Sequence, residues 1–337
     1  MRQLHLSPEW QATLQELCSV HEMQSFLLKL PCVTADSQLI SARLLRQKPG
    51  RRALIEYHFG RRGSSSPLLI VGKYREKGVD KFSYCCQQAL WSDGFHRQNR
   101  ISVPEPLMIL PEKRMWLQRH VDGLLLTDVL ISNVFSRHEQ ISTGTAVGYA
   151  LSALQQHGEL ARVVNGRQWT LTDEVSVLEQ GLTIAGEENV ALYKRIDALM
   201  KGLREVAAVL SGTRKSCLHR DFYPDQIISN RNDRRCLTLL DFDLSCTGPS
   251  ALDAGNWLAH VCELGIRYKG DYRIFHAHET AFVESWLSHM SGVTVKETEG
   301  FRLLSLARHI FLSTRIPGRK HTTLLLLAYC EKCMEYF

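Results

Sequence analysis

His219-Arg220-Asp221-Phe222-Tyr223-Pro224-Asp225-Gln226 is followed, fifteen residues after Gln226, by Asp241-Phe242-Asp243. This polar loop and two short strands, 227–229 and 237–240, joined by the turn-like Asn230-Arg231-Asn232-Asp233, interrupt a series of amphipathic helices. Apolar spacing puts those helices at 138–157, 172–183, 190–210, 251–265, 275–290, 296–312 and 321–335. Chemistry concentrates where a polar loop breaks a rigid scaffold. The first third of the chain has a different texture. Segments 39–45 and 53–58 flank Lys48-Pro49-Gly50-Arg51, a strong turn signal, and 67–73 is a third apolar run after a Gly-Ser-rich loop. Two more short strands, 107–110 and 115–118, surround Pro111-Glu112-Lys113, whereas 80–92 loses period-2 alternation and reads as helix ending near Asp93-Gly94. The expected fold is α+β. Residues 1–118 form a small antiparallel sheet with one helix and an N-terminal helical extension, and 119–337 form a larger, mostly helical part.

A chain of 337 residues buries enough surface to fold without a metal or disulfide staple. Its longest apolar run, 324–329, is far short of the roughly 20 residues that span a bilayer, so no membrane is expected as a partner. The start, Met1-Arg2-Gln3-Leu4-His5 followed by Glu9 and Glu16, lacks the apolar stretch of a secretory leader, and a cytoplasmic location is expected. Ten cysteines are scattered from Cys18 to Cys333 without a framework of spacings and read as reduced core thiols. Cys330-Glu331-Lys332-Cys333 has a metal-like spacing, but it stands alone where a structural zinc needs four ligands. The net charge of +6 is uneven: residues 1–118 hold 17 Lys and Arg against 10 Asp and Glu, the remainder 24 against 25. Such an excess could mean nucleic acid, yet Arg43, Arg46, Lys48, Arg51, Arg52, Arg61 and Arg62 surround strands rather than lining one basic helix, and a phosphate-bearing small ligand fits equally well; no nucleic-acid partner is expected.

The loop has the shape of H-R-D-x-x-x-x-N, a carboxylate and an amide five residues apart, and Asp241 follows an apolar strand. In this order, preceded by the strand-borne Lys73, the two blocks signal phosphoryl transfer. Here the sequence resembles the aminoglycoside phosphotransferase and choline kinase-like family, which is similar to the protein kinases in fold. Gly72-Lys73, LQRHVDG at 117–123 and GPSALD at 248–253 extend the resemblance over about 35–315. It implies a two-lobe fold and an ATP- and Mg²⁺-dependent transfer of the γ-phosphate to a hydroxyl of a small molecule. Asp221 fits the place of proton acceptor, and Asp241, with Gln226 and auxiliary Asp243, that of the metal ligands. Lys73 would meet the α- and β-phosphates, and adenine would lie between the lobes near Gln118, His120 and Val121, with the acceptor against the helical lobe. His219 and Asp253 are read as scaffold that holds the loop, His260 as a packed core histidine, and 315–320 as a solvated loop.

The chain departs from the family pattern in three places. Gln226 replaces Asn, adding one methylene; the helix over 81–90 holds no Glu for Lys73, leaving Gln87 or Gln88 as hydrogen-bonding substitutes; and the first turn offers only Gly50 rather than a glycine-rich loop. These changes leave open an alternative, a catalytically weak nucleotide-binding pseudokinase or scaffold protein. A protein kinase is disfavoured, because Asp253 follows Asp241 too closely for an activation segment and no A-P-E signature is present. The sum of −1 over the helical part argues mildly against polycationic antibiotics as acceptors. The acceptor and the oligomeric state are not encoded in these motifs.

Overall fold

The computed structural model describes residues 7–61, 67–96, 98–132 and 134–337. The leader reading at 1–5, the Gly-Ser-rich stretch 62–66 and the basic Arg62 lie outside the described residues. The chain divides into two compact units, Met1–Asp122 and Gly123–Phe337.

The first unit begins with α1 (Pro8–Leu17) and α2 (Val20–Leu27), whose first turns are capped by the Ser7 and Ser19 hydroxyls. There follow β1 (Ser37–Lys48), β2 (Arg52–Arg61), β3 (Leu68–Arg75), α3 (Lys81–Ser92), β4 (Ile101–Ser102), β5 (Pro106–Leu110) and β6 (Met115–Arg119). Five of the strands form an antiparallel sheet in the order β1-β2-β3-β6-β5. Gly50 makes the β1–β2 turn possible, because its φ of 67° lies where a side chain is strained. Period-2 alternation assigns the two faces. Ala53, Ile55, Tyr57 and Phe59 of β2, Ile70 and Tyr74 of β3, and Met115 and Leu117 of β6 share one buried face, which α1 and α2 cover with Trp10, Leu17, Met23 and Leu27. Each of the Leu, Ile, Met and Phe side chains among them stabilises by about 1.5–3 kcal/mol when fully buried. Tyr57 Oη donates to Leu17 O at 3.0 Å and pins the helical pair to the sheet. Helix α3, started by Asp80 accepting from Ser83 N, occupies the other face, where Tyr84 meets Trp116 edge-on at 5.7 Å.

The second unit comprises β7 (Leu124–Leu125), α4 (Leu126–Ile131), α5 (Arg137–Gln155), α6 (Gly158–Val163), α7 (Leu171–Glu187), α8 (Val190–Val209), β8 (Lys215–Leu218), β9 (Ile227–Ser229), β10 (Leu237–Leu239), β11 (Cys246–Pro249), α9 (Ala251–Lys269), α10 (His276–His289), α11 (Val295–Arg315) and α12 (Thr323–Met334). Reciprocal capping boxes fix three starts: Ser136 with Glu139, Thr170 with Asp173, and Thr294 with Glu297. α9 runs past the expected 265 to Gly270, whose left-handed φ of 65° closes it. α9 crosses α11 at Gly255, where an added Cβ would stand 2.5 Å from Phe301 C and Arg302 N. A small antiparallel sheet in which β9 lies between β10 and β7, and the pair β8–β11, interrupt the helices and frame the polar loop. β10 ends at Leu239 rather than at the expected 240: Leu240 N–H still donates to Gln226 O, the residue next in register, but the return bond is missing because Gln226 N–H donates to Tyr223 O and the Leu240 carbonyl faces the His219 ring. Among the described residues no helix is long and apolar enough to cross a membrane.

Candidate active site

The loop 219–226 is held from below by Asp253, at the start of α9. One carboxylate oxygen accepts from His219 N at 2.7 Å and the other from Arg220 N at 2.8 Å. Burial pushes this carboxyl up to about 6, against the pull of the His219 and Arg220 charges and of those two N–H groups. Arg220 has a φ of 68° and Asp241 one of 63°, conformations that non-glycine residues rarely adopt and that surrounding contacts must enforce. For Arg220 the contacts are the Asp253 carboxylate and Trp169, whose ring lies 3.5 Å from the guanidinium carbon.

His219 acts as the expected scaffold. Its Nε2 lies 2.7 Å from Leu240 O, and Phe222 and Phe242 pack on its ring at 5.9 and 5.1 Å. Because Leu240 N also donates to Gln226 O at 2.9 Å, the residue before Asp241 is tied to both ends of the loop. Gln226 Nε2 in turn donates to Asp221 Oδ2 at 3.2 Å. The structure thus brings Asp221, Gln226 and the Leu240–Asp241 step together, all three polar side chains half-buried. Asp243 follows in a turn, and its carbonyl accepts from Arg167 at 3.3 Å. Cys217 and Cys246, on the strands beside the loop, are neutral thiols: burial pushes them up to about 11 and about 12.

Sequence reasoning did not identify the deeper support. Asn256 Nδ2 donates to Phe222 O at 3.1 Å, Arg308 reaches Asn256 Oδ1 at 2.7 Å and Glu174 at 3.0 Å, and Glu174 accepts from Trp169 at 2.9 Å. This chain returns to the ring under Arg220. Asn256 was accessible in principle, three residues beyond Asp253 on the same helix face.

The other candidates lie on the first unit. Cross-strand register places Leu54, Glu56, Val71, Lys73, Trp116 and Gln118 on one face of the sheet, and Lys73 Nζ lies 4.8 Å from the Trp116 ring centre. Of the amides expected near Lys73, Gln87 Nε2 donates to Pro104 O at 2.7 Å and to Gln118 Oε1 at 3.2 Å, and Gln88 Nε2 to Ser92 Oγ at 2.9 Å; these contacts use the nitrogens, whereas a lysine would bond the oxygens. Sequence reasoning overlooked Glu56, an acid two residues along from the position opposite Lys73; it accepts from Arg43 at 2.7 Å and lies 3.6 Å from His120 Nε2. Arg119 N–H donates to Glu105 O and His120 N–H to Leu69 O, whereas Val121 N–H has no backbone partner among the described residues.

Among the described residues no three His, Cys, Asp or Glu side chains form a metal cluster by themselves. A cavity of about 720 Å³ in the second unit is lined by Tyr272, Arg302, Tyr329 and Lys332, and by none of the candidate residues.

The model of the phosphotransferase enzyme family matches residues 94–282, more than half of the chain. No curated protein matches it. Among solved structures, the fold is similar to a glucosamine kinase, with a TM-score of 0.59 at 14% identity over 92% of this chain and 97% of that one. It is similar to spectinomycin phosphotransferase in complex with ADP and spectinomycin, with a TM-score of 0.57 at 9% identity over 94% and 97%. For a choline kinase from Streptococcus pneumoniae the TM-score is 0.54 at 12% identity over 98% and 100%.

Proposed function

Because this chain belongs to the phosphotransferase enzyme family, we propose that it transfers the γ-phosphoryl group of ATP to a hydroxyl of a small molecule. The observation that carries the reading is the anchoring of Asp221, Gln226 and Asp241 to one another through Leu240 and the Gln226 amide. With Oδ2 of Asp221 holding the Gln226 N–H, Oδ1 is the oxygen left to orient the acceptor hydroxyl and take its proton. Asp241, Asp243 and the Gln226 amide oxygen would supply hard oxygen donors of the kind that suit Mg²⁺, an ion that completes its shell with phosphate oxygens and water. When bound, Mg²⁺ would neutralise charge on the phosphates. Lys73 would bind the α- and β-phosphates from its rigid strand, and Val121 N–H, flanked by Gln118 and His120, would receive adenine. The first unit is then the nucleotide-binding part, and the second carries the base and the acceptor.

One observation favours a second reading, a nucleotide-binding protein of weak activity: α3 offers Gln87 in place of an acid, a neutral amide that cannot form an ion pair with Lys73. ADP release over a panel of hydroxylated metabolites separates the two readings, since both predict stabilisation by Mg·ATP but only the enzyme turns it over. Asp221→Asn should cut turnover by about 10²–10⁴-fold with nucleotide binding kept. Asp241→Asn should weaken Mg·ATP binding as well, and equally small effects from both would remove the assignment.

A further inference from the structure

Asn256, His260, Glu263 and Arg267 recur along α9 at spacings of four, three and four, the signature of one helix face. That face starts at the polar loop. Asn256 holds Phe222 O, and the His260 ring stacks on Tyr223, two residues after Asp221, with centres 4.7 Å apart and planes 26° from parallel. α11 packs alongside: the His309 ring meets His260 edge-on at 4.4 Å, and Arg308 bonds Asn256. At the far end Arg267 Nε donates to Glu263 at 2.8 Å, while Arg319, from the stretch read as a solvated loop, stands 3.7 Å from the same carboxylate. That distance permits an ion pair but lies beyond hydrogen-bonding reach, so the donors of the Arg319 guanidinium are not consumed by Glu263.

Arg267, Arg308 and Arg319 keep 18%, 24% and 23% of their side chains exposed, whereas Glu263 and Glu174, the acids they share, keep 2% and 4%. The accessible charge on this face is therefore positive. Burial, the neighbouring imidazole and these same guanidiniums hold His260 well below its usual range, and burial with the guanidiniums does the same for His309, so neither ring adds a proton or repels a ligand as a cation. Nε2 of His309 is buried and has no hydrogen-bond partner among the described residues.

We propose that the phosphate acceptor carries an anionic group besides its hydroxyl, and that Arg319 with Arg267 and Arg308 receives it while Tyr223 and His260 border the hydroxyl-bearing part. The proposal rests on the phosphotransfer reading for its hydroxyl and on the arginine face for its charge. It places hydroxylated carboxylates or phosphate monoesters in the site and excludes polycations.

The test measures binding rather than turnover. Glucuronate, glucose 6-phosphate, glucose and glucosamine are titrated into the full chain with saturating Mg·ADP, and thermal stabilisation is read. Glucuronate or glucose 6-phosphate should bind at least about tenfold tighter than glucose or glucosamine, and the stronger of the two identifies the anion. Arg319→Gln should erase that difference, Arg319→Lys should keep most of it, and Arg315→Gln, which alters a surface pair with Glu188, should leave it intact. No preference for the anionic sugars, or a preference that survives Arg319→Gln, overturns the proposal. ADP release with neutral or cationic acceptors alone would do the same while leaving the phosphotransfer reading standing.

Discussion

Gln226 Nε2 donates to Asp221 Oδ2 at 3.2 Å, five residues back along the same loop. The contact orients the amide. With its nitrogen turned to the carboxylate, Oε1 is the end that remains for a cation, so the extra methylene relative to asparagine still allows one amide to serve two neighbours. The short 3₁₀ turn Pro224–Gln226 and the bond from Leu240 N to Gln226 O fix where that amide starts.

Gln226→Ala should therefore lower kcat and raise the Mg²⁺ concentration needed for half-maximal rate. A lost hydrogen bond to a charged group is worth about 1.5–3 kcal/mol, or about 10- to 100-fold in rate. Steady-state kinetics across a Mg²⁺ titration would read both effects. A rate that falls with an unchanged Mg²⁺ requirement would show that the amide serves Asp221 alone.

Asp253 gives the site a pH dependence. Burial lifts its carboxyl from 3.8 to about 6, so between these values the folded chain holds a proton that the unfolded chain has released. Its stabilising contribution is full below 3.8 and is lost as pH rises through about 6, an effect on the order of 3 kcal/mol. Urea unfolding should show wild type losing stability relative to Asp253→Asn from about pH 4 to about pH 6 and tracking it above. Activity should run the other way, falling below about pH 6 as the acceptor of the His219 and Arg220 amides is neutralised. A flat stability difference over that window would place the carboxyl at its ordinary value.

Much of this arrangement is legible in the chain. Long helices declare themselves by period, and α5, α7, α8, α10 and α11 start within a residue of where apolar spacing puts them. The scaffold roles of His219 and Asp253 follow from a loop whose backbone donors need partners. α4 and α6, at six residues each, are too short to show a period. Glu56 stays hidden for another reason: its position relative to Lys73 depends on which residues of β2 and β3 stand opposite each other, and register is a property of paired strands. Arg308 and Glu174 are far apart in sequence from the loop they support, and only the crossing of α9 and α11 connects them to it.

That crossing can be tested at Gly255. An added Cβ would meet Phe301 C, Phe301 Cβ and Arg302 N, each at 2.5 Å, mostly backbone atoms that cannot swing away. Gly255→Ala should destabilise the chain by about 1–3 kcal/mol, the usual cost of overpacking a filled core. Since Asp253 and Asn256 lie on the same turn, the variant should also lose activity at temperatures where it remains folded. Denaturant midpoints at constant slope measure the first effect. A variant as stable as wild type would mean that the helices slide apart freely.

Glu56 makes a sharper case, because its expected effect is on binding rather than on folding. It shares the sheet face of Lys73 and lies between Arg43, whose side chain is 69% exposed, and the ring of His120. Only Arg43 of this pair is exposed, since Glu56 keeps 11% of its side chain accessible, but the amide of Glu56→Gln retains one oxygen for Arg43, so stability should fall by only about 1 kcal/mol. It should, however, release His120 and with it the neighbouring Val121 N–H, the donor proposed for adenine. The KM for ATP should rise by about three- to tenfold with kcat nearly unchanged, the pattern of lost uniform binding. Lys73→Met should instead depress kcat as well, since on the proposed reading its charge would face phosphates whose charge shifts in the transition state. If Glu56→Gln lowered kcat as Lys73→Met does, the acid would belong to the phosphate-binding chemistry itself, and positioning His120 would be the lesser part of its role.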